Sequence, residues 1–112
     1  MLRGWLPVET VWVTAPVVAS MRATVPDVTA SAELIAHTWG AEIVLTGDGF
    51  RPDAVHRVVV RDRSGAAVDA GAFIGTGAQR MTCNLNSSVR PSDAAGFQVL
   101  DAEGTVIVIG QL

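Results

Sequence analysis

HTWGAEIVLTGDGFRPDAVHRVVVRD, residues 37–62, decides the fold class. A Trp39-Gly40 pair opens an apolar run, Ala41–Thr46. A corner follows, Gly47-Asp-Gly49-Phe50-Arg51-Pro52-Asp53. A second run, Val55–Arg61, ends in the turn sequence Asp62-Arg-Ser-Gly65. Both runs are too short for stable helices and are rich in β-branched residues, so they read as strands. The unbroken Ile43-Val44-Leu45 predicts burial on both faces or close to it. In the second run Val58 and Val60 share one face, and Arg57, Val59 and Arg61 the other. That is the signature of a half-buried strand. Gly47, Gly49 and Pro52-Asp53 supply the turn chemistry between the runs, and Gly65 is the expected left-handed position of the next hairpin.

The same grammar extends outward. Val68–Thr76 reads as the returning strand and Gln79–Leu85 as another, with Met81, Cys83 and Leu85 alternating against Arg80, Thr82 and Asn84. Residues 86–96 form a polar loop containing Pro91-Ser92-Asp93, with a helical turn expected around Ser92–Ala95. Phe97–Leu100 and Thr105–Ile109 form a hairpin across Asp101-Ala-Glu-Gly104. Upstream, Val17–Val25 is a β-prone run closed by Pro26. Thr29–His37 reads as a strand, although its Ala, Glu and Leu, with Thr29 or Ser31 as N-cap, also suit a short helix. Val8–Thr14 reads as a strand or a lead-in. Seven or eight strands with short turns and no alternating helices specify an all-β antiparallel sandwich.

Composition narrows the functional classes. The chain has 112 residues, enough for one domain, and 49% of them are hydrophobic, which is ample for a core. A net charge of −3 argues against a nucleic-acid partner, which requires a basic stripe. Cys83 is the sole cysteine, so no intrachain disulfide forms. It reads as a small buried hydrophobe. No run reaches the roughly 20 apolar residues of a membrane span. Glu9, Pro7 and Pro16 interrupt the apolar N-terminal stretch, so no signal peptide is evident.

No constellation for catalysis emerges, and the chain reads as a non-enzyme without metal or cofactor. His37 and His56 have no ligand spacing with each other or with Cys83. His37 reads as a loop or strand-edge residue. His56, beside Arg57, reads as an exposed strand position. The carboxylates of Asp48 and of Asp101 and Glu103 read as turn residues, too sparse for a calcium loop. Gly71, Gly75 and Gly77 lack the Lys and the strand–helix context of a phosphate loop. Ser87 and Ser88 lack a nucleophile elbow, and Asn86-Ser87-Ser88 matches a glycosylation sequon. Of the three tryptophans, Trp39 is the best core candidate. An exposed patch of Trp5, Trp12 and Phe50 would instead mark a binding surface. Val11-Trp12-Val13 and Val106–Ile109 are the expected edge strands, through which two copies could pair as a homodimer.

From about Ala19 to Leu112 the order of these motifs resembles the C-terminal extracytoplasmic domain of membrane-anchored anti-sigma factors, the regulators of extracytoplasmic-function sigma factors. The resemblance runs through Trp39-Gly40-Ala41-Glu42-Ile43, the Gly49-Phe-Arg-Pro52 corner and the Val-rich strand with its Asp-x-x-Gly65 turn. It continues through Ala70–Phe73, the Ser87–Asp93 loop with Pro91 and Asp93, and the closing hairpin around Gly104. Residues 78–85 fit that pattern poorly. The resemblance implies residues 1–18 as a stem, lead-in or edge strand and residues 19–112 as an extracytoplasmic β-sandwich. It implies Trp39, Gly40, Gly49, Pro52, Gly65 and Gly104 as structural motif residues, and a protein partner or protease as the functional contact. A sigma factor would be bound only through a cytoplasmic zinc-motif domain joined by a transmembrane helix, neither of which is in this sequence. The other reading is a free-standing secreted binding module.

Overall fold

The computed structural model describes residues 17–18 and 20–112. Among these residues nine strands alternate with short turns: β1 Val17–Val18, β2 Ser20–Ala23, β3 Thr29–His37, β4 Gly40–Asp48, β5 Val55–Asp62, β6 Ala67–Ile74, β7 Met81–Ser87, β8 Ala94–Leu100 and β9 Val106–Gln111. The one helical element among the described residues is a 3-10 turn, Pro91–Asp93, one residue before the expected position. The strands form two antiparallel sheets, ordered β1-β3-β4-β7 and β2-β9-β8-β5-β6. The fold is therefore the all-β sandwich expected from the sequence. Because β1 and β2 are separated by one residue, the first extended segment contributes to both sheets.

Period-two alternation builds the core. Along β4, Ala41, Ile43, Leu45 and Gly47 are buried, while the residues between them are half-buried. The expectation of near-complete burial on both faces thus holds for one face only. Leu34 of β3 and Leu85 of β7 flank Ile43 in register and are buried with it. From the opposite sheet, Val58 and Val60 of β5 and Phe97 and Val99 of β8 face them across the interior. Arg57 and Arg61 lie on the solvated side of β5, as the alternation requires. Residues 78–85 contain an ordinary strand: β7 pairs with β4 without interruption from Gly47↔Met81 to Ala41↔Ser87. Cys83 is half-buried on its inner face, and desolvation pushes its thiol pKa up.

Val106–Ile109 is not an edge. β9 lies between β2 and β8, so its backbone is paired on both sides. The expected edge Val11–Val13 and the strand Val8–Thr14 fall outside the described residues. Among those residues no helix is long and apolar enough to cross a membrane.

Two hairpins close with one chemical device. Asp62 Oδ1 accepts hydrogen bonds from Ser64 N and Ala66 N, both at 2.9 Å. Asp101 Oδ1 accepts from Glu103 N and Thr105 N, again at 2.9 Å. In each, the glycine three residues on has positive φ, +92° at Gly65 and +86° at Gly104, and donates its N–H to the Asp carbonyl at 3.0 Å. At Asp62 the Ser64 hydroxyl and the Ala66 N–H hold the carboxyl below the usual carboxylate range. A carboxylate whose pKa is lowered by folding stabilises the native state above its unfolded value, and that contribution disappears as pH falls through the lowered folded value. Asp62→Asn is therefore expected to lower the midpoint of urea unfolding at neutral pH. The difference from wild type should shrink on acidification below the ordinary Asp range. A pH-independent difference would rule the charge out as the cause.

Candidate functional site

The motif residues divide between the two ends of the sandwich. Gly49, Pro52 and Gly104 sit at one end. Trp39, Gly40 and Gly65 sit at the other.

At the first end the chain leaves β4 and crosses to β5 of the opposite sheet through residues 49–54. Gly49 has φ +89°, and a Cβ there would lie 1.8 Å from the Asp27 carbonyl oxygen. Both the backbone angle and the contact exclude a side chain. Phe50 then turns inward and is only 1% exposed. The corner is held to residues 75–77 by four backbone hydrogen bonds: Gly49 N to Gly77 O, Gly77 N to Phe50 O, Asp53 N to Gly75 O and Gly75 N to Ala54 O, at 2.7–2.9 Å. This explains Gly75 and Gly77 structurally. They are the backbone partners of the corner.

Behind the corner lies an aromatic triad. Phe50 meets His56 and Phe73 edge-on, with centroids 5.3 and 5.0 Å away, and His56 stacks on Phe73 at 5.2 Å. The expectation of an exposed His56 is overturned, because it is 1% exposed. A local hydrogen bond makes burial tolerable. With Nδ1 protonated, His56 donates to the Ala54 carbonyl at 3.0 Å, so a polar ring atom is satisfied without leaving the core. A cavity of about 260 Å³ opens beside it, walled by Val28 and Ile107 and rimmed by Asp27, Arg51 and Asp101. Arg51 is occupied by Glu103 at 2.9 Å. Asp101 is committed to its turn.

At the second end, β3 and β4 are joined by Thr38 and Trp39 alone. Gly40 approaches the Ser87 carbonyl so closely that a Cβ would lie 1.9 Å from it. Trp39 is not in the core. The two-residue turn carries it beyond the sheets, where it is 53% exposed and stacked on His37 at 4.5 Å. His37 Nε2 lies 3.1 Å from Glu42 Oε1, and Glu42 also accepts from the Asn84 amide. The Ser87 hydroxyl is buried and accepts from Val89 N at 3.0 Å. It shapes the loop and is not presented as a nucleophile. An open cleft of about 460 Å³ lies nearby, lined by Asp62, Arg63, Val68, Ser88, Val89 and Asp93 among others.

The second end brings an acid and a base together, His37 Nε2 and Glu42 Oε1 at 3.1 Å, and the Trp39 ring stacks on that histidine. Among the described residues no group of three or more His, Cys, Asp or Glu side chains is placed to hold a metal ion. Asp48 meets Arg80 at 3.4 Å rather than other carboxylates. Sequence reasoning missed the His56 cluster. Its available signal was the spacing of His56, Val58 and Val60, which places the histidine on the buried face. No family model, curated protein or solved structure matches the chain.

The geometry makes Phe50 the anchor of the first end. Phe50→Ala is expected to destabilise the domain by about 3–5 kcal/mol, the usual cost of emptying a buried aromatic site. Equilibrium urea unfolding measures it. A loss below about 1 kcal/mol would mean that the triad collapses to fill the space and anchors nothing.

Proposed function

We propose that this chain is a non-catalytic regulatory domain, the extracytoplasmic sandwich of an anti-sigma factor. In that role it acts at the outer face of the cell membrane and controls sigma-factor release indirectly. The order of motifs from Trp39-Gly40 to the Gly104 hairpin supports the family assignment. One structural observation supports the mechanism. The junction of the stem (residues 1–18) with the domain is built into the sandwich, Val17–Val18 as β1 in one sheet and Ser20–Ala23 as β2 in the other. β2 pairs with β9 through Ser20↔Gln111 to Ala23↔Val108. Thr24 then fixes the exit, its N–H donating to Ile107 O at 2.9 Å and its hydroxyl to Val106 O at 2.8 Å.

In this reading the sandwich is a lock on its own stem. Proteases require an extended, unpaired backbone, and strands this short open before the rest of the fold. A partner or stress that loosens β1 and β2 exposes the stem to cleavage without global unfolding. The alternative, a free-standing secreted binding module, loses part of its motivation because Phe50 is buried and contributes nothing to an aromatic surface.

Arg22 lies in β2 with an exposed side chain, so trypsin reports the opening directly. Thr24→Ala removes one hydrogen bond, worth about 1 kcal/mol. That is roughly a fivefold rise in the open population, which cleavage tracks when opening is fast. Cleavage after Arg22 is expected to be slow in the native chain and about fivefold faster in Thr24→Ala, with the arginines from Arg57 onward still protected. Cleavage after Arg22 at the rate of the unfolded chain would refute the lock. The reading frame upstream of Met1 tests the family assignment separately. A zinc-motif domain and an apolar span there support it, and a stop codon followed by an independent start signal refutes it.

A further inference from the structure

One buried side chain keeps an acceptor that the fold does not use. His56 is 1% exposed. Phe73 stacks on its ring at 5.2 Å, and Phe50 meets it edge-on. With Nδ1 donating to the Ala54 carbonyl, Nε2 is left as an acceptor. Among the described residues no donor is bonded to it. A buried acceptor without a partner costs stability, so this nitrogen calls for one.

His56 also lines the cavity of about 260 Å³ at the first end of the sandwich. Three connections meet there: residues 24–28 between β2 and β3, the corner at residues 49–54, and the Asp101 hairpin. The first of them is pinned throughout. Thr24 ties its start to Ile107 O and Val106 O. Thr29 ties its end to Asp48 at 2.8 Å, and Gly49 packs against Asp27 in its middle. A preformed cavity with apolar walls and a few fixed polar groups has the make-up of a small-molecule site.

The lining selects the ligand. Val25, Val28 and Ile107 supply apolar wall. Benzene occupies an apolar cavity of about 150 Å³, so this larger one admits a single ring with a short substituent. At the mouth Arg51 is neutralised by Glu103. Asp27 and Asp101 have no ion-pair partner among the described residues. The mouth is therefore negative, which favours a cationic group and disfavours a carboxylate. These two carboxylates and His56 do not converge as a metal-binding set. We propose that the cavity binds a small amphipathic amine. Its apolar ring lies against Val28 and Ile107, a hydroxyl or N–H at its inner end donates to His56 Nε2, and its ammonium group faces Asp27 and Asp101. A ligand without the inner donor leaves Nε2 unpartnered, and a site of this kind rejects it.

This inference is independent of the regulatory reading, since binding is measured whether or not the stem is ever cleaved. Three probes separate its parts. Tyramine carries both polar groups, phenethylamine lacks the hydroxyl, and para-hydroxyphenylacetate has a carboxylate in place of the ammonium. Each is titrated into the full chain and followed by NMR at the Val28 and Ile107 methyl groups and the His56 ring nitrogens. Tyramine is expected to shift all three residues. Phenethylamine is expected to bind about tenfold more weakly, the loss of one hydrogen bond to a buried acceptor. At low salt para-hydroxyphenylacetate is expected to bind more weakly than tyramine, with a difference that shrinks as salt is added. His56→Phe keeps a ring beside Phe50 and Phe73 without the acceptor, and is expected to bind tyramine and phenethylamine equally. If that variant does not fold, the wild-type comparison of the two amines decides alone. No tyramine shifts at these residues would mean that Nε2 is met by water only, and would overturn the proposal. Equal affinity of the wild type for tyramine and either analogue at low salt would overturn it as well.

Discussion

The crossing at residues 49–54 is the constraint on which the sandwich depends. Sheets packed face to face lie about 10 Å apart, and the chain must cover that distance in six residues while returning in the opposite direction. Gly49 makes the departure possible by adopting φ +89° against the Asp27 carbonyl. Phe50 makes it stable by filling the space between the sheets with the ring nearest the corner. The strand that follows sets its second residue, His56, against that ring. One short segment thus ends β4, starts β5 and closes the core. The backbone bonds to Gly75 and Gly77 tie the next crossing, from β6 to β7, to the same point.

Most strands were legible because their signals are local. Alternation in residues 55–61 and 81–85 reports burial directly, and Asp-x-x-Gly at 62–65 and 101–104 reports a turn whose carboxylate and glycine each have one geometric task. His56 and Trp39 were misread for opposite reasons. The reading of His56 as exposed rests on its place beside Arg57, yet one local acceptor, Ala54 O, lets its ring behave as an aromatic core residue. The reading of Trp39 as core rests on its residue type, yet its place in a two-residue turn carries it outside both sheets, where His37 shields one face. Position relative to the strand ends outweighed side-chain chemistry in both cases.

Sheet order was not legible, and it governs everything said about edges. Val106–Ile109 has the composition of an exposed edge strand and is interior, because β2 pairs with it from 85 or more residues away. β7 has the alternation of an ordinary strand, which does not reveal that it lies at the end of its sheet. No local pattern distinguishes these cases. Pairing partners that are distant in sequence are chosen by which buried faces can be satisfied together, a property of the whole set of strands.

The proposed lock rests on the division of the first extended segment between the sheets. A terminal strand paired along its whole length to one sheet would share that sheet's stability. β1 instead contributes the pairs Val17↔Leu34 and Val18↔Glu33, and β2 four pairs to β9 on the other sheet. Each piece has few backbone bonds, so each opens at a free energy well below that of global unfolding. Ile43, Val58, Phe97 and Val99, among the most deeply buried residues, belong to β4, β5 and β8 and not to these pieces. The segment is thus held firmly enough to be covered and weakly enough to be released. That is the mechanical property a domain needs if it is to control access to the chain that precedes it.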